Sequence, residues 1–548
     1  MRPTAAGARF SYVSRRRGDD NRRTPGRSAT LSATHRRLRR TVSVTTADAA
    51  TQHPTGARAQ WAGGLVRTLK ATLQVRAVVI GLIGSTLLAA ATFALAWVPP
   101  RIVQEVWLLH VARTRTGREL SEAMAIFGVM AMAYAWLRIR PQVEPHIRHH
   151  VVAILWSLPM LAVPPMLSRD AYAYTDQGWI LHLGFNPYVT PMGTLPGPYW
   201  QLVDGIWAGT TTVYPPLALA LQALVITITG FVPMLGVYGM RLPTIGAVIL
   251  MAVFLPKLAR KVGVSPQIAL WAAVVNPLTL IHFIGGAHND AGMVGVMVLA
   301  LWAATKRWGL VTGAILIGCA VAIKQPAALA GVGVVMLVLP KDIKTWTAAK
   351  RWGRIVWTSL AGGAIALGTF LLITVATGLD LGWLFGSGAP SAVDTMAPLN
   401  MAAVTLEKAA GVANLGDYDF RPIFEFIGTA AMVVLIGYWF VKYSWKKPLH
   451  FVCYSLLAVA LLGPSLQAWY VLWGLPLLTL TKPSRLLTRL SMSLVLYLLL
   501  VSVLNEYLKY TVISSSVISL VPAVLLYFWS DRLTKSRVEH HTSTLDNI

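Results

Sequence analysis

The sequence predicts an all-α polytopic membrane protein. Its 548 residues are 55% hydrophobic and only 13% charged, and the mean hydropathy is +0.57. A soluble protein of this size carries roughly 25% charged residues, so most of this surface must face lipid. The apolar residues are gathered into runs long enough to cross a bilayer, and short basic clusters separate many of them. These observations exclude an ordinary soluble enzyme.

About fourteen apolar runs are predicted as transmembrane helices. They cover residues 78–98, 121–138, 150–167, 238–256, 267–284, 289–305, 309–323, 327–340, 354–376, 422–441, 449–463, 469–481, 488–505 and 511–530. Because cytoplasmic loops are enriched in Lys and Arg, the basic clusters between the runs predict that both chain termini are cytoplasmic.

One further apolar run, residues 214–232, is predicted to lie along the outer membrane interface without crossing. If it crossed, the basic cluster of residues 257–261 would lie outside, against the pattern of every other basic loop. Residues 168–237 then form one outer loop that carries interfacial helices. Residues 377–421 form a second outer loop, and long outer loops often carry function.

The two ends of the chain differ from this membrane domain, which we place at residues 77–530. Residues 1–76 are basic and rich in Ser, Thr and Ala, which predicts a disordered cytoplasmic tail. Residues 531–548 form a second cytoplasmic tail. The net charge of +26 lies in clusters beside the spans, so it favours contact with membrane lipids and orientation in the membrane over a nucleic-acid partner.

Asp170 is the first candidate for a functional residue. It follows the apolar run 151–167 and precedes a stretch rich in aromatic residues. A carboxylate at a membrane edge is costly unless water or a partner is near. We interpret it as a general base that takes a proton from an acceptor hydroxyl. A helix cap and a salt bridge with Arg169 are alternatives, and Asp176 is a second candidate for the base.

Lys324 and the pair His288 and Asp290 are predicted to face the same outer side. Lys324 ends an apolar run, where an ammonium suits either a phosphate or the lipid headgroups. His288 and Asp290 follow two glycines in GGAHND. They suit hydrogen bonds to a sugar or phosphate, a helix cap or, on a weak signature, a metal.

Gln467, Trp469 and Tyr470 form a third group on that side. Aromatic faces can pack against the apolar face of a sugar, and tryptophans also mark membrane interfaces. No nucleotide-binding or hydrolase motif stands in a suitable context, and no soluble domain is large enough to bind a nucleotide sugar. An enzyme of this kind would draw its donor from the membrane.

Seven short motifs, taken in order, resemble those of one enzyme family. They are Ser168-Arg169-Asp170-x-Tyr172-x-Tyr174, Gly184-x-Asn186-Pro187-Tyr188, Tyr214-Pro215-Pro216-Leu217, Asn276-Pro277, His288-Asn289-Asp290, Lys324-Gln325-Pro326 and Gln467-x-Trp469-Tyr470. Over about residues 60–530 the chain resembles the actinobacterial α-1,6-mannopyranosyltransferases that depend on polyprenyl-phosphate mannose. These belong to the GT-C class of membrane glycosyltransferases, which implies a GT-C bundle here.

The resemblance implies a reaction and its partners. Mannose would pass from polyprenyl-phosphate mannose to the 6-hydroxyl of an α-1,6-mannan on a phosphatidylinositol mannoside anchor, with inversion, on the outer face of the plasma membrane. This is the chemistry of lipomannan and lipoarabinomannan backbone synthesis. The resemblance implies no cofactor and no metal.

The resemblance, together with the charge and type of each side chain, assigns roles to the site residues. Asp170 matches the family's catalytic base. The donor phosphate is assigned to Lys324, His288 and Arg169. The substrate contacts are assigned to Asp290, Asn289, Tyr172, Tyr174, Gln467, Trp469 and Tyr470. Acceptor binding is assigned to the outer loops, particularly residues 377–421.

Two other functions stay open on the residues alone. One is an arabinofuranosyltransferase that uses polyprenyl-phosphate arabinose, because sugar identity depends on pocket shape. The other is a flippase or transporter for a polyprenyl-linked sugar. Such transporters often carry internal repeats with broken helices at the midplane, and no clear repeat is visible in this sequence.

Overall fold

The fold is all-α in the described part of the chain, which is residue 64, residues 66–385 and residues 395–534 of a computed structural model. Nearly all of the predicted N-terminal tail and residues 535–548 of the predicted C-terminal tail lie outside it. The last described part of that N-terminal tail, residues 66–73, is helical. All described residues, including these, belong to the same compact unit, Ala62–Ile548.

After residues 66–73, the described part of the chain contains twenty α-helices, with a long connection between the sixth and the seventh. They are α1 Arg76–Leu95, α2 Pro100–Glu105, α3 Trp107–Ala112, α4 Arg115–Arg138, α5 His149–Leu161, α6 Asp170–His182, α7 Pro216–Ile228, α8 Pro233–Gly239, α9 Arg241–Lys261, α10 Pro266–Ala273, α11 Asp290–Ala303, α12 Gly309–Val321, α13 Ala328–Val338, α14 Ala348–Ala376, α15 Pro398–Val412, α16 Arg421–Tyr443, α17 Pro448–Leu462, α18 Leu475–Leu478, α19 Arg485–Ser502 and α20 Val512–Thr534. Two π-helical segments, Thr279–Gly285 and Val503–Tyr507, and short 3₁₀ turns lie between them.

The prediction of an all-α polytopic membrane protein is confirmed, while the count of fourteen spans stays a prediction. Within the described residues, seven helical stretches are long and apolar enough to cross a membrane, and one bent pair makes an eighth. Several predicted spans are shorter helices, and the predicted span 469–481 consists of short turns around α18. Helix α7 has 13 residues, or about 20 Å, less than the hydrocarbon core of roughly 30 Å.

Small residues let the first helices approach closely. A Cβ on Gly84 of α1 would lie 2.7 Å from the Gly128 carbonyl oxygen of α4, and a Cβ on Gly81 would overlap the Trp156 ring of α5. The Trp156 indole N–H donates to the Val78 carbonyl at 3.0 Å. Such close backbone contact is how helices associate in lipid. It fixes α5, whose C-terminal end leads into the loop before α6.

Arg241 joins that loop to a break in another helix. Its guanidinium donates to the carbonyls of Val163 at 2.9 Å and of Ile284 at 3.1 Å. The second carbonyl belongs to the π-helical segment that meets α11 at a bend of 112°. A buried guanidinium needs several acceptors, and backbone carbonyls at the two loops supply them. The beginning of α6 and the beginning of α11 are therefore held side by side.

Candidate active site

Asp170 is the first residue of α6, but its side chain does not cap the helix, which was an alternative interpretation of the sequence. The position before it is Arg169, and no side-chain cap hydrogen bond forms there. Instead, the Tyr174 hydroxyl donates to Asp170 Oδ2 at 3.3 Å, and His288 Nδ1 lies 3.3 Å from the same oxygen. The side chain of Asp170 is 14% exposed to solvent. It is an oriented carboxylate at a cavity wall, not a cap.

The surroundings of Asp170 keep it ionised. Burial alone would raise its pKa, but contact with His288, the positive charge of Lys324 and the Tyr174 hydroxyl together bring the pKa below its ordinary value. Asp176, the second candidate for the base, behaves in the opposite way, because burial raises its pKa to about 6. Its Oδ2 accepts from the Gly193 amide at 2.8 Å, so it anchors a loop.

Arg169 pairs with Asp204 and not with its neighbour Asp170. Arg169 Nη1 donates to Asp204 Oδ1 at 2.7 Å, and the same oxygen accepts from the Ile206 amide at 3.0 Å. The salt bridge to Asp170, which the sequence left open as an alternative, does not form, and Arg169 instead bonds to a residue 35 positions away in sequence. The Arg169 side chain keeps 30% exposure, so its other N–H groups can reach a ligand.

His288 lies behind Asp170 in the bend before α11. Its ring is fully buried and stacks on Trp469, with the ring centroids 3.4 Å apart. Glycine at position 286 lets the backbone pack close to this ring, because a Cβ there would lie 3.0 Å from the Met166 carbonyl oxygen and 3.1 Å from the His288 ring. The expected donor contact of His288 finds no support in this geometry. The ring instead orients Asp170 and Trp469.

Lys324 is paired inside the protein. Its ammonium donates to Asp290 Oδ1 at 2.7 Å, and the Trp473 indole N–H donates to the same oxygen at 2.6 Å. The rings of Tyr214 and Tyr470 lie 5.6 and 4.7 Å from Lys324 Nζ, within cation–π range. Lys324, expected to bind the donor phosphate, and Asp290, expected to contact the substrate, thus form a buried ion pair with each other. The pair joins the end of α12 to the start of α11.

Two of the predicted tyrosines face different surroundings. The Tyr172 hydroxyl donates to the Trp97 carbonyl at 3.3 Å, and its buried ring packs edge-on against the Trp97 ring. Tyr174 instead lies between Asp170, the Tyr214 hydroxyl at 3.3 Å and Asn289 Oδ1 at 3.4 Å. Residues two positions apart on a helix point about 200° apart, so the two rings face different surroundings. The expected substrate contact of Tyr172 is not supported.

A cavity of about 190 Å³ opens in front of Asp170. Arg169, Asp170, Tyr174, Gln467, Trp469 and Tyr470 line it as predicted, whereas Tyr172, His288, Asn289, Asp290 and Lys324 lie outside its lining. The remaining lining residues are Leu167, Ser168, Ala173, Gln177, Met192, Ile206, Trp207, Thr210, Thr211, Thr212, Val213, Tyr214, Ser465 and Glu506.

The predicted acceptor loop, residues 377–421, contributes differently from what was expected. Its described parts, residues 377–385 and 395–421, do not line the cavity. Asp380 accepts from the Asn186 side-chain amide at 2.9 Å, and the Met396 amide donates to the Leu466 carbonyl at 3.1 Å. This loop therefore supports both the 186–188 turn and the 465–470 segment.

Asp204, Trp473, Ser465 and Glu506 were missed in the sequence. Glu506 carried the clearest signal, because it is an acid directly after the apolar run 488–505, and ionisable residues beside or within spans are usually functional. Asp204 and Trp473 gave no such signal, because their roles depend on partners far away in sequence. Across the described part of the chain, no three His, Cys, Asp or Glu side chains converge as a metal-binding set.

This arrangement can perform base catalysis on a hydroxyl. It combines an ionised and oriented carboxylate, a guanidinium with free donors and an aromatic wall around one open cavity. A base within reach of a hydroxyl is the main requirement for transfer to an alcohol acceptor.

Comparison with known proteins agrees with this chemistry. Residues 78–340 match the family described as alpha-(1→6)-mannopyranosyltransferase, N-terminal domain, and residues 399–528 match the MptB C-terminal domain. No solved structure matches.

Three curated relatives illustrate the similarity. Alpha-(1→6)-mannopyranosyltransferase A of Mycobacterium tuberculosis is 31% identical over 67% of this chain and 73% of its own length. The Corynebacterium glutamicum protein of the same name is 28% identical over 69% and 80%. A probable alpha-(1→6)-mannopyranosyltransferase of Mycolicibacterium smegmatis is 29% identical over 65% and 70%. The chain belongs to the α-(1→6)-mannopyranosyltransferase family and is a membrane mannosyltransferase.

Proposed function

We propose that the protein transfers mannose from polyprenyl-phosphate mannose to the 6-hydroxyl of a growing α-1,6-mannan. The acceptor is a mannan on a phosphatidylinositol mannoside anchor, and the reaction takes place on the outer face of the plasma membrane. One observation carries the proposal: an ionised Asp170, oriented by Tyr174 and His288, at the wall of an open cavity in a membrane mannosyltransferase.

In this mechanism Asp170 acts as the general base. Its carboxylate takes the proton of the acceptor 6-hydroxyl as that oxygen forms a bond to C1 of the donor mannose. The bond between C1 and the phosphate oxygen breaks, and its electron pair leaves with the polyprenyl phosphate. The transition state has oxocarbenium character, and attack from the opposite face converts a β donor into an α product. A phosphate leaves without protonation, so one carboxylate suffices.

Arg169 is the better candidate for the donor phosphate. It lines the cavity, keeps 30% exposure and has a planar fork of donors, of which Asp204 occupies one. Lys324 has its charge matched by Asp290 and lies outside the cavity lining, so we assign it to positioning. Charge that is fixed before the reaction begins stabilises the departing phosphate at little reorganisation cost.

The aromatic wall suits a sugar ring. Trp469 is held against His288 on one side and also lines the cavity, as does Tyr470. Aromatic faces pack well against apolar CH surfaces, so these rings would orient a mannose by its less polar face.

The test uses purified protein in lipid nanodiscs. Radiolabelled polyprenyl-phosphate mannose or polyprenyl-phosphate arabinose is supplied with an alkyl α-1,6-dimannoside, and the product linkage is determined by exo- and endomannosidase digestion. We expect an α-1,6-linked trimannoside from the mannose donor and no product from the arabinose donor. Transfer from the arabinose donor alone, or movement of the donor across a liposome membrane without product, would contradict the proposal.

A further inference from the structure

Glu506 is the second carboxylate in the lining of the cavity, and the mechanism does not use it. It lies in the π-helical segment Val503–Tyr507, which follows α19. π-Helical turns within helices are rare and are found frequently at functional sites. Among the described residues, its carboxylate makes no hydrogen bond and lies within 4.0 Å of no Lys, Arg or His nitrogen.

The 465–467 segment brings two more unpaired polar groups to the same cavity. Ser465 Oγ is buried and has no hydrogen-bond partner in the described residues. The side-chain amide of Gln467 likewise makes no hydrogen bond there, and both residues line the cavity. The segment itself is fixed, because the Leu466 carbonyl accepts from the Met396 amide at 3.1 Å. Buried polar groups in folded proteins are nearly always bonded, so the unpaired Ser465 hydroxyl at the cavity indicates a polar ligand or water.

The charges of the lining define what kind of ligand fits. Two carboxylates, Asp170 and Glu506, face the cavity, and the one guanidinium, Arg169, is already bonded to Asp204. A second anion beside Glu506 would be repelled, so the donor phosphate does not suit that position. A carboxylate only accepts hydrogen bonds, and adjacent hydroxyls of a neutral sugar can each donate one.

We propose that Glu506, Ser465 and Gln467 form the subsite that binds the acceptor sugar. Glu506 accepts hydrogen bonds from two neighbouring hydroxyls of a neutral hexoside, and Ser465 and Gln467 bond to the remaining ones. The proposal rests on the proposed function, because it assumes that a mannoside acceptor enters this cavity. Asp170 and Arg169 then serve the transfer and the departing phosphate, while the C-terminal part of the chain holds the acceptor.

The first experiment separates acceptor binding from donor binding. Initial rates are measured in nanodiscs for wild type, Glu506→Gln and Ser465→Ala, with donor and acceptor concentrations varied independently. We expect Glu506→Gln to raise the KM for the α-1,6-dimannoside by about tenfold or more and Ser465→Ala by about threefold, as for lost hydrogen bonds to charged and neutral groups. The KM for the polyprenyl donor should change by less than about twofold. Glu119→Gln, on an exposed helix surface, is the matched control.

The second experiment needs no catalysis. Tryptophan fluorescence is followed as an α-1,6-dimannoside is added without donor to wild type and to Glu506→Gln. Folding of each variant is checked by gel filtration and thermal unfolding, and Ser465→Ala replaces Glu506→Gln if the latter fails to fold. We expect saturable binding to wild type that weakens about tenfold in Glu506→Gln.

The outcomes distinguish the two proposals. If wild type shows no transfer from any mannose donor, the proposed function fails, yet the fluorescence titration still decides whether Glu506 binds a mannoside. If wild type transfers mannose and the acceptor KM of Glu506→Gln stays within twofold, the subsite is wrong. A rise in the donor KM in place of the acceptor KM would assign these residues to the donor sugar and overturn the inference.

Discussion

The two walls of the cavity differ in how well their polar groups are satisfied. On the wall built from residues 168–214, Arg169 is bonded to Asp204, and Asp170 and Tyr174 contact each other and residues behind them. Gln177 Oε1 and the side chains of Trp207 and Thr211 are exceptions there, because they make no hydrogen bond among the described residues. On the wall built from residues 465–470 and 506, the side chains of Ser465, Gln467 and Glu506 have no hydrogen bonds among the described residues.

This contrast separates a wall that performs chemistry from one that binds. A catalytic carboxylate works best when its charge and direction are fixed in advance by neighbours, as Asp170 is by Tyr174 and His288. A binding wall has to leave its hydrogen-bonding capacity free for the ligand. The first wall should therefore respond to mutation in the turnover rate and in the pH profile, and the second in the affinity for acceptor.

The largest effect is expected from Asp170→Asn. The amide cannot accept the proton of the acceptor hydroxyl, so kcat should fall by about 10³-fold, within the range for loss of a general base. The measurement is mannose transfer in nanodiscs at saturating donor and acceptor. Asp342→Asn, at an exposed position far along the chain, is the control for the same chemical change. Near-normal transfer by folded Asp170→Asn would remove Asp170 as the base.

Lys324→Met should act on stability. It leaves the Asp290 carboxylate buried with only the Trp473 indole as partner, and breaking a buried ion pair costs about 3–5 kcal/mol. We expect a markedly lower temperature of thermal unfolding in detergent. The double variant Lys324→Met with Asp290→Leu should recover part of this loss, because no charge is stranded. If the single variant unfolds at the wild-type temperature, Lys324 is not a structural partner of Asp290.

His288→Gln should move the acid limb of the pH profile. Asp170 is active as a carboxylate, which is present above its pKa and lost as the pH falls through it. Removing His288 takes away a group that lowers the pKa of Asp170 against its burial, so that pKa should rise. The acid limb of kcat/KM should shift to higher pH by about one unit. An unshifted limb with a lower rate would mean that His288 only maintains packing.

Much of the fold could be predicted from sequence, because it follows from local pattern. The apolar runs, the start of a helix at Asp170 and the break at GGAHND all depend on neighbouring residues. The charge partners could not be predicted, since Arg169 and Asp204 meet only through the folded loop, and Lys324 and Asp290 only through two separate helices. The side chains that line the cavity also depend on helix rotation, which is why Tyr172 was misplaced.

The most direct test of the account compares Asp170→Asn and Glu506→Gln in one kinetic experiment. Initial transfer rates are measured over a full range of acceptor concentrations at saturating donor. We predict that Asp170→Asn lowers kcat by about 10³-fold with the acceptor KM nearly unchanged, and that Glu506→Gln raises the acceptor KM by about tenfold with kcat nearly unchanged. If both variants change the same kinetic parameter in the same way, the two walls do not have separate catalytic and acceptor-binding roles.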